Sequence, residues 1–360
     1  MRKRHITCLA GITVSTATAL GLAAAPSSAS VPGIHVVRPG ASIQRAVDAA
    51  DPGDTVVVLP GTYHESVQIT KPGLTLRGTG GRTVIAPPAD GGRAAGACAA
   101  DGNGICVVGT EGRTVDAVSI RSLTVSGFSG NGVWASWTDG LSVSEVTASD
   151  NGTWGIAQER STRGDFRRNT ATGNGDAGIF VANSVTEEGG ATDTRGTRIR
   201  DNVLADNRVG VTARRVRNLS IDDNDITGNC SGVFVVGDES KPAAGAMTVG
   251  GNRVLENNKY CPATERLTAL QGAGIVLTGS ERTVVRDNVV RGNTGTTPHS
   301  GGIVLFESFV GALNTGNTIS GNLVRDNQPA DLADRDASGT GNTFVSNECG
   351  TSVPAGMCAE

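Results

Sequence analysis

Ile199-Arg-Asp-Asn202-Val-Leu204-Ala-Asp-Asn207 returns with its spacing intact as Ile221-Asp-Asp-Asn224-Asp-Ile226-Thr-Gly-Asn229. It returns again as Val249-Gly-Gly-Asn252-Arg-Val254-Leu-Glu-Asn257, as Val285-Arg-Asp-Asn288-Val-Val290-Arg-Gly-Asn293, and as Ile319-Ser-Gly-Asn322-Leu-Val324-Arg-Asp-Asn327. Asn169/Asn174 and Asn342/Asn347 extend the series at either end. A Gly-led phrase follows: Gly132-Val-Trp-Ala135, Gly155-Ile-Ala-Gln158, Gly178-Ile-Phe-Val181, Gly210-Val-Thr-Ala213, Gly232-Val-Phe-Val235, Gly274-Ile-Val-Leu277 and Gly302-Ile-Val-Leu305. Each repeat therefore reads as three short strands with period-two alternation, separated by Asn- and Gly-rich turns. The plain period is 22 residues, from Asn202 to Asn224. That leaves no room for a helix, so a helical solenoid is excluded.

Such a chain has to coil, each strand pairing with its equivalent one turn along, about 4.8 Å away. Inward Ile, Val and Leu then stack into a narrow core, and the Asn side chains stack up the turns. Composition agrees. Glycine supplies 51 of 360 residues, aromatics only 3% and hydrophobic residues 38%, which excludes a helical bundle, collagen and general disorder.

The phrases resemble the parallel β-helix repeats of the pectate-lyase-like superfamily, from about Thr114 to Asn347. The resemblance implies an all-β fold: a right-handed single-stranded parallel β-helix with a short N-terminal capping helix. Ser42-Ile-Gln-Arg-Ala-Val-Asp-Ala-Ala50 supplies that helix, with Ile43, Ala46, Val47 and Ala50 at helical spacing and Ser42 as N-cap. It plugs the open end of the core. The expected organisation is a signal peptide over 1–29 and one β-helix domain over 30–360. Within that domain lie a cap and first coils (34–86), a Cys-containing insertion (87–113), repeat coils (114–347) and a disulfide-pinned tail (348–360).

The signal peptide is read from Arg2, Lys3 and Arg4, the apolar stretch Ile6 to Ala25, and the small-residue site ending at Ala29. The rival is an uncleaved anchor, against which the small-residue site argues. No later run approaches the roughly 18 apolar residues of a membrane span, so the mature chain is expected to be secreted. Removing three cations takes the formal charge from −4 to −7, which gives no electrostatic case for nucleic acid. Of seven cysteines, Cys8 leaves with the signal. Six remain, and spacing favours the sequential pairs Cys98–Cys106, Cys230–Cys261 and Cys349–Cys358 among fifteen pairings. Cys230 and Cys261 fall in the same turn of consecutive coils, which agrees.

Several coils exceed 22 residues, and their extra length falls at about 184–196, 237–246, 258–272 and 307–316. These loops flank the Gly-Ile-x-Val strand and predict a groove along it, unless they are neutral surface insertions. Alternation points Trp134, Ser136, Ala157, Glu159, Phe180, Ala182, Thr212, Arg214, Phe234, Val236, Val276, Thr278, Val304 and Phe306 outward. Trp134, Phe180 and Phe234 suit sugar faces; equally, overlying loops would bury them as a satellite core. Asn183, Arg215, Asp238, Glu239 and Glu307 cluster near the same strand ends.

In polysaccharide lyases of the superfamily, calcium or amides neutralise a uronate carboxylate while an Arg or Lys removes the neighbouring proton. That resemblance nominates Arg214 with Glu159 as catalytic candidates. Trp134, Phe180, Asn183, Arg215, Phe234, Asp238 and Glu307 are the candidates for substrate binding. Calcium stands as the one cofactor it suggests, with no metal ligands identified. The competing reading of Arg214 is a solvated or salt-bridged side chain. Polygalacturonase signatures, the Asp-Pro-His of alginate epimerases and the Trp-x-Asp-His of classical pectate lyases do not occur. Asp222-Asp223 falls in an Asn turn and reads as solvated; Gly78-Thr-Gly-Gly81 reads as a turn and not a phosphate loop. The expectation is a secreted protein that binds, and by lyase, epimerase or hydrolase chemistry processes, a polysaccharide. The alternatives are a non-catalytic cell-wall or glycan-binding module and a structural spacer contacting a protein partner.

Overall fold

A computed structural model describes residues 32–88, 96–264 and 267–358. The signal-peptide reading of residues 1–29 lies outside them. Within them the coil is explicit. Val67–Ile69, Ile105–Val108, Val133–Ser136, Ile156–Glu159, Ala177–Ala182, Val209–Arg214, Ser231–Val236, Ala273–Thr278, Gly301–Phe306, Leu332–Arg335 and Ser352–Val353 stand side by side as one 11-stranded sheet. Each pairs in parallel with the next. Of the other strands, 21 form a second sheet, and Val115–Asp116 and Thr138–Asp139 pair as a third of two strands.

Core columns follow the repeat. Phe166, Ile199, Ile221, Val249, Val285, Ile319 and Phe344 succeed one another in register. Leu204, Ile226, Val254, Val290, Val324 and Cys349 form a second column. Most of these side chains are fully buried in one continuous cluster. An apolar residue at every equivalent position thus gives each coil an identical surface to bury against its neighbour.

The Asn ladders are as regular. Asn202 donates its backbone N–H and its Nδ2 to Oδ1 of Asn224, which does the same to Asn252, and so on through Asn288 and Asn322 to Asn347. A parallel ladder climbs from Asn151 through Asn174, Asn207, Asn229, Asn257 and Asn293 to Asn327. One expectation is corrected here. Asn342 and Asn347 do not end the two ladders as a pair: Asn347 ends the first, accepting from Asn322, whereas Asn342 accepts from Asn317 on a separate one. The second ladder ends instead on Asp331, whose Oδ1 accepts from Asn327.

The N-terminal helix spans Ile43–Ala49, with Ser42 Oγ accepting from Arg45 N–H and Ile43 and Val47 buried. Glu65 reinforces its start by accepting from Ser42 Oγ and the N–H groups of Ile43 and Gln44. The segment expected as an insertion over 87–113 contributes a strand, Ile105–Val108, to the 11-stranded sheet. All three sequential disulfides are present, with Cα separations of 5.7, 6.0 and 5.1 Å. No helix among the described residues is long and apolar enough to cross a membrane.

Candidate functional site

The outer face of the 11-stranded sheet carries the site. Register sets Trp134 beside Ala157, Phe180, Thr212, Phe234, Val276 and Val304 in one column. Ser136, Glu159, Ala182, Arg214, Val236, Thr278, Phe306 and Arg335 form the next. Glu159 and Arg214 therefore sit two coils apart on one line, about 9.6 Å by strand spacing.

The aromatic residues do not stand open to solvent. Trp154, Phe180 and Phe234 are 9%, 5% and 3% exposed, and they join Val209, Cys230, Cys261, Leu270 and Val276 in a second apolar cluster outside the main core. Trp154 stacks on Phe180 with ring centres 4.2 Å apart, and Trp134, half-buried, stacks on Trp154 at 5.8 Å. The satellite core is thus real, because the long loops fold over the face and remove these rings from water.

A cavity of about 840 Å³ remains between the loops. Trp154, Phe180, Phe234 and Val236 line it with Thr212; Asp176, Arg208, Arg214 and Glu188 supply charge; Val185, Thr264 and Leu267 close the sides. One wall is the 184–190 loop, and the sequence-nominated polar residues hold it. Glu159 accepts from Ser136 Oγ at 3.1 Å and from Val185 N–H at 3.0 Å. Arg214 Nη1 donates to the carbonyls of Ser184 and Val185. Asn183 donates to the carbonyls of Gly189 and Gly190. Arg215 donates to Glu187 O and pairs with Glu188 and Asp238. The opposite wall is formed by residues 258–264 and 267–271. The Cys230–Cys261 disulfide anchors it, and Arg208, donating to the carbonyls of Pro262 and Thr268, ties it down.

Of the nine nominated residues, Phe180, Phe234 and Arg214 line the cavity. Glu159, Asn183, Arg215 and Asp238 build its wall; Asn183, Arg215 and Asp238 are at most 8% exposed, which leaves no room to meet a polymer directly. Trp134 extends the aromatic stack beyond the cavity. Glu307 is exposed, past the end of Gly301–Phe306, and is not among the cavity's residues.

Asp176 and Arg208 escaped sequence reading, as did Trp154. Trp154 Nε1 donates to Asp176 Oδ2 at 3.0 Å. Burial pushes the Asp176 carboxyl above its usual range, opposed by the indole hydrogen bond and the field of Arg208. Burial lowers Arg208, whose charge is offset in part by Asp176. All three lie between the second ladder Asn and the Gly-Ile-x-Val strand, a turn that an alignment of the repeats would have isolated. Chemically, the cavity offers an apolar floor, a carboxyl that holds its proton to a higher pH than usual, and two guanidinium groups.

The family described as a right handed beta helix region matches residues 97–254. A second, described as periplasmic copper-binding protein (NosD), matches residues 192–357. The chain folds as a right-handed parallel β-helix. Among solved structures it is similar to the Azotobacter vinelandii mannuronan C-5 epimerase AlgE6 A-module, at 19% identity and TM-score 0.56 over 85% of this chain and 88% of that one. It is similar to an alginate lyase from Paenibacillus sp. (15%, TM-score 0.51, 81% and 94%) and to DFA-IIIase from Arthrobacter chlorophenolicus (13%, TM-score 0.56, 90% and 97%). At these identities the likeness is one of fold. No curated protein matches.

The copper of the second family finds no matching donor set in this β-helix. Among the described residues no three His, Cys, Asp or Glu side chains come together to hold a metal. The six described cysteines are all in disulfides, His35 bonds Asp54 and His64 bonds Pro87 O. The three disulfides and the periplasmic family suit an exported protein.

Proposed function

We propose that this β-helix protein binds an extracellular polysaccharide along the outer face of its Gly-Ile-x-Val sheet, in the cavity over Trp154, Phe180 and Phe234. The carrying observation is that cavity: about 840 Å³ between two pinned loops, with an aromatic floor and Asp176, Arg208 and Arg214 at its sides. An apolar floor with a few convergent polar groups is the common make-up of a ligand site. A sheet whose coils repeat every ~4.8 Å suits an extended polymer. Similar folds named for epimerisation of mannuronan and lysis of alginate support a glycan as the partner class.

Glu159 and Arg214 are used as loop clamps, which favours a binding module over proton abstraction by Arg214. Asp176 favours processing, since a carboxyl with a raised pKa is suited to give or take a proton. Purified protein, run against a panel of acidic and neutral polysaccharides with and without calcium, separates these. Retardation in affinity electrophoresis is expected for at least one polymer and is expected to weaken about tenfold or more in Phe180→Ala. New reducing ends or unsaturated uronates that vanish in Asp176→Asn, with binding kept, identify an enzyme; the same loss in Arg214→Ala identifies a lyase-like base. Binding without turnover identifies a module, and no retention by any polymer contradicts the proposal.

A further inference from the structure

The same outer face carries a second, closed aromatic compartment. His299 lies between strands Val289–Arg291 and Gly301–Phe306 and is 1% exposed. Its ring packs on Phe306 at 4.1 Å and meets Phe234 and Phe309 at 5.2 and 6.1 Å. Its Nδ1 is buried with no hydrogen-bond partner among the described residues. Phe234 also lines the large cavity, so the compartment adjoins the groove.

Residues 307–313 cover it. Phe309 packs edge-on against Phe306 at 5.3 Å, yet is itself 70% exposed. The loop's hydrogen bonds close on itself: Val310 N–H donates to Ser308 Oγ and Gly311 N–H to Ser308 O. Asn314 fastens only its base, donating Nδ2 to Phe306 O and to Asp336. Apart from Ala312, which packs over Gly279, what seats the loop is aromatic contact around an imidazole.

That imidazole has nothing to neutralise a proton. Arg335 faces it, donating to the carbonyls of Pro298 and Ser300 on either side of His299. Asp334 of the same strand is in register with the core residue Leu305, and Asp336 is engaged by Asn314. Strands Ser231–Val236, Ala273–Thr278 and Gly301–Phe306 carry no ionisable side chain, and the loop contributes only Glu307, exposed at its base.

We propose that the 307–313 loop is an acid-opened gate: protonation of His299 unseats it and joins the Phe234–His299–Phe306 compartment to the groove. Burial, with Arg335 nearby, holds the closed form's imidazole down at about 4 from its ordinary 6.5. A solvated ring in the open form titrates near 6.5, so the closed form binds fewer protons. Lowering pH from 6.5 to 4 then shifts the equilibrium toward open by about 80-fold, rising toward about 300-fold in all at still lower pH, and well above 6.5 the loop is insensitive to pH. The gate stands independently of what the groove binds.

The test is fluorine NMR on protein labelled with 4-fluorophenylalanine, the Phe309 signal being assigned by Phe309→Leu. The Phe309 resonance is expected to shift between pH 6.5 and 4 as its ring parts from His299 and Phe306, Phe234 and Phe306 moving with it, and to stay fixed in His299→Leu. A Phe309 signal that is independent of pH, or that moves equally in His299→Leu, overturns the proposal. Should that variant fail to fold, nitrogen NMR of the wild-type His299 ring decides: titration in step with Phe309 supports the gate, and titration that leaves Phe309 in place overturns it.

Discussion

Asn224 shows what a single residue contributes to this fold. Its Oδ1 accepts from Asn202 N–H and Nδ2, and its own Nδ2 donates to Asn252 Oδ1 and to the carbonyls of Ile199 and Asp222. Asn224→Leu orphans buried partners on both neighbouring coils, each worth about 1–3 kcal/mol. Urea unfolding is expected to register a loss of about 3 kcal/mol or more; a loss below about 1 kcal/mol would contradict the ladder. Asp331, where a ladder stops, has only acceptors, and it also receives the N–H groups of Gly350 and Thr351. Asp331→Asn is therefore expected to loosen the last coil, seen as faster amide exchange at Gly350 and Thr351, because an amide nitrogen replaces an acceptor. The rungs were readable because their spacing repeats. The stop was not, because Asp331 lies four residues after Asn327 with nothing in the local pattern to mark it. One turn residue before a rung has its own logic: the left-handed Asp206 reaches over Gly228 of the next coil, where an added Cβ would stand 2.8 Å from its Oδ1. At that position the acid on one coil thus calls for glycine on the next.

Among the elements, the N-terminal cap depends on one carboxylate. Asp54 accepts from the N–H groups of Gly33 and Asp51 and from His35 Nε2. The His35 contact, more than the backbone bonds, holds its pKa at about 2 against an ordinary 3.8. A depressed carboxyl stabilises the folded form above its unfolded value, and the effect is lost as pH falls from about 4 to about 2. Proteolysis of the Ile34–Val37 strand is expected to accelerate across that window in the wild type and to lose this pH dependence in Asp54→Asn. Nothing in the local sequence singles out Asp54, since its partners lie up to 21 residues away. The groove wall depends on Cys230–Cys261, which spans 31 residues. By chain entropy, replacing both by Ser costs about 3–4 kcal/mol. That pairing was legible because both cysteines share a turn of the repeat. Arg208, which ties the same loop by two carbonyls, was not, since its partners lie 54 and 60 residues along the chain.

At the scale of the whole β-helix, repetition explains what was foreseen and what was not. Identical coils fix which residues face in or out, so the columns from Trp134 to Phe306 followed from alternation alone. The loops do not repeat, and they decide the fate of those columns. They bury Phe180 and Phe234, turn Glu159 and Arg215 into wall fasteners, leave Glu307 outside and bring Asp176 and Arg208 to the cavity. The account therefore rests on a glycan occupying a cavity floored by a stack of aromatic rings. The chain's three tryptophans report on it: Trp134 and Trp154 lie in the stack, and Trp137 sits nearby under Arg160. The direct measurement is tryptophan emission during titration with a polysaccharide the protein retains. A saturable change in emission, tracking binding and reduced in Phe180→Ala, is predicted. Full retention with emission unchanged in both proteins would place the polymer elsewhere and contradict the account.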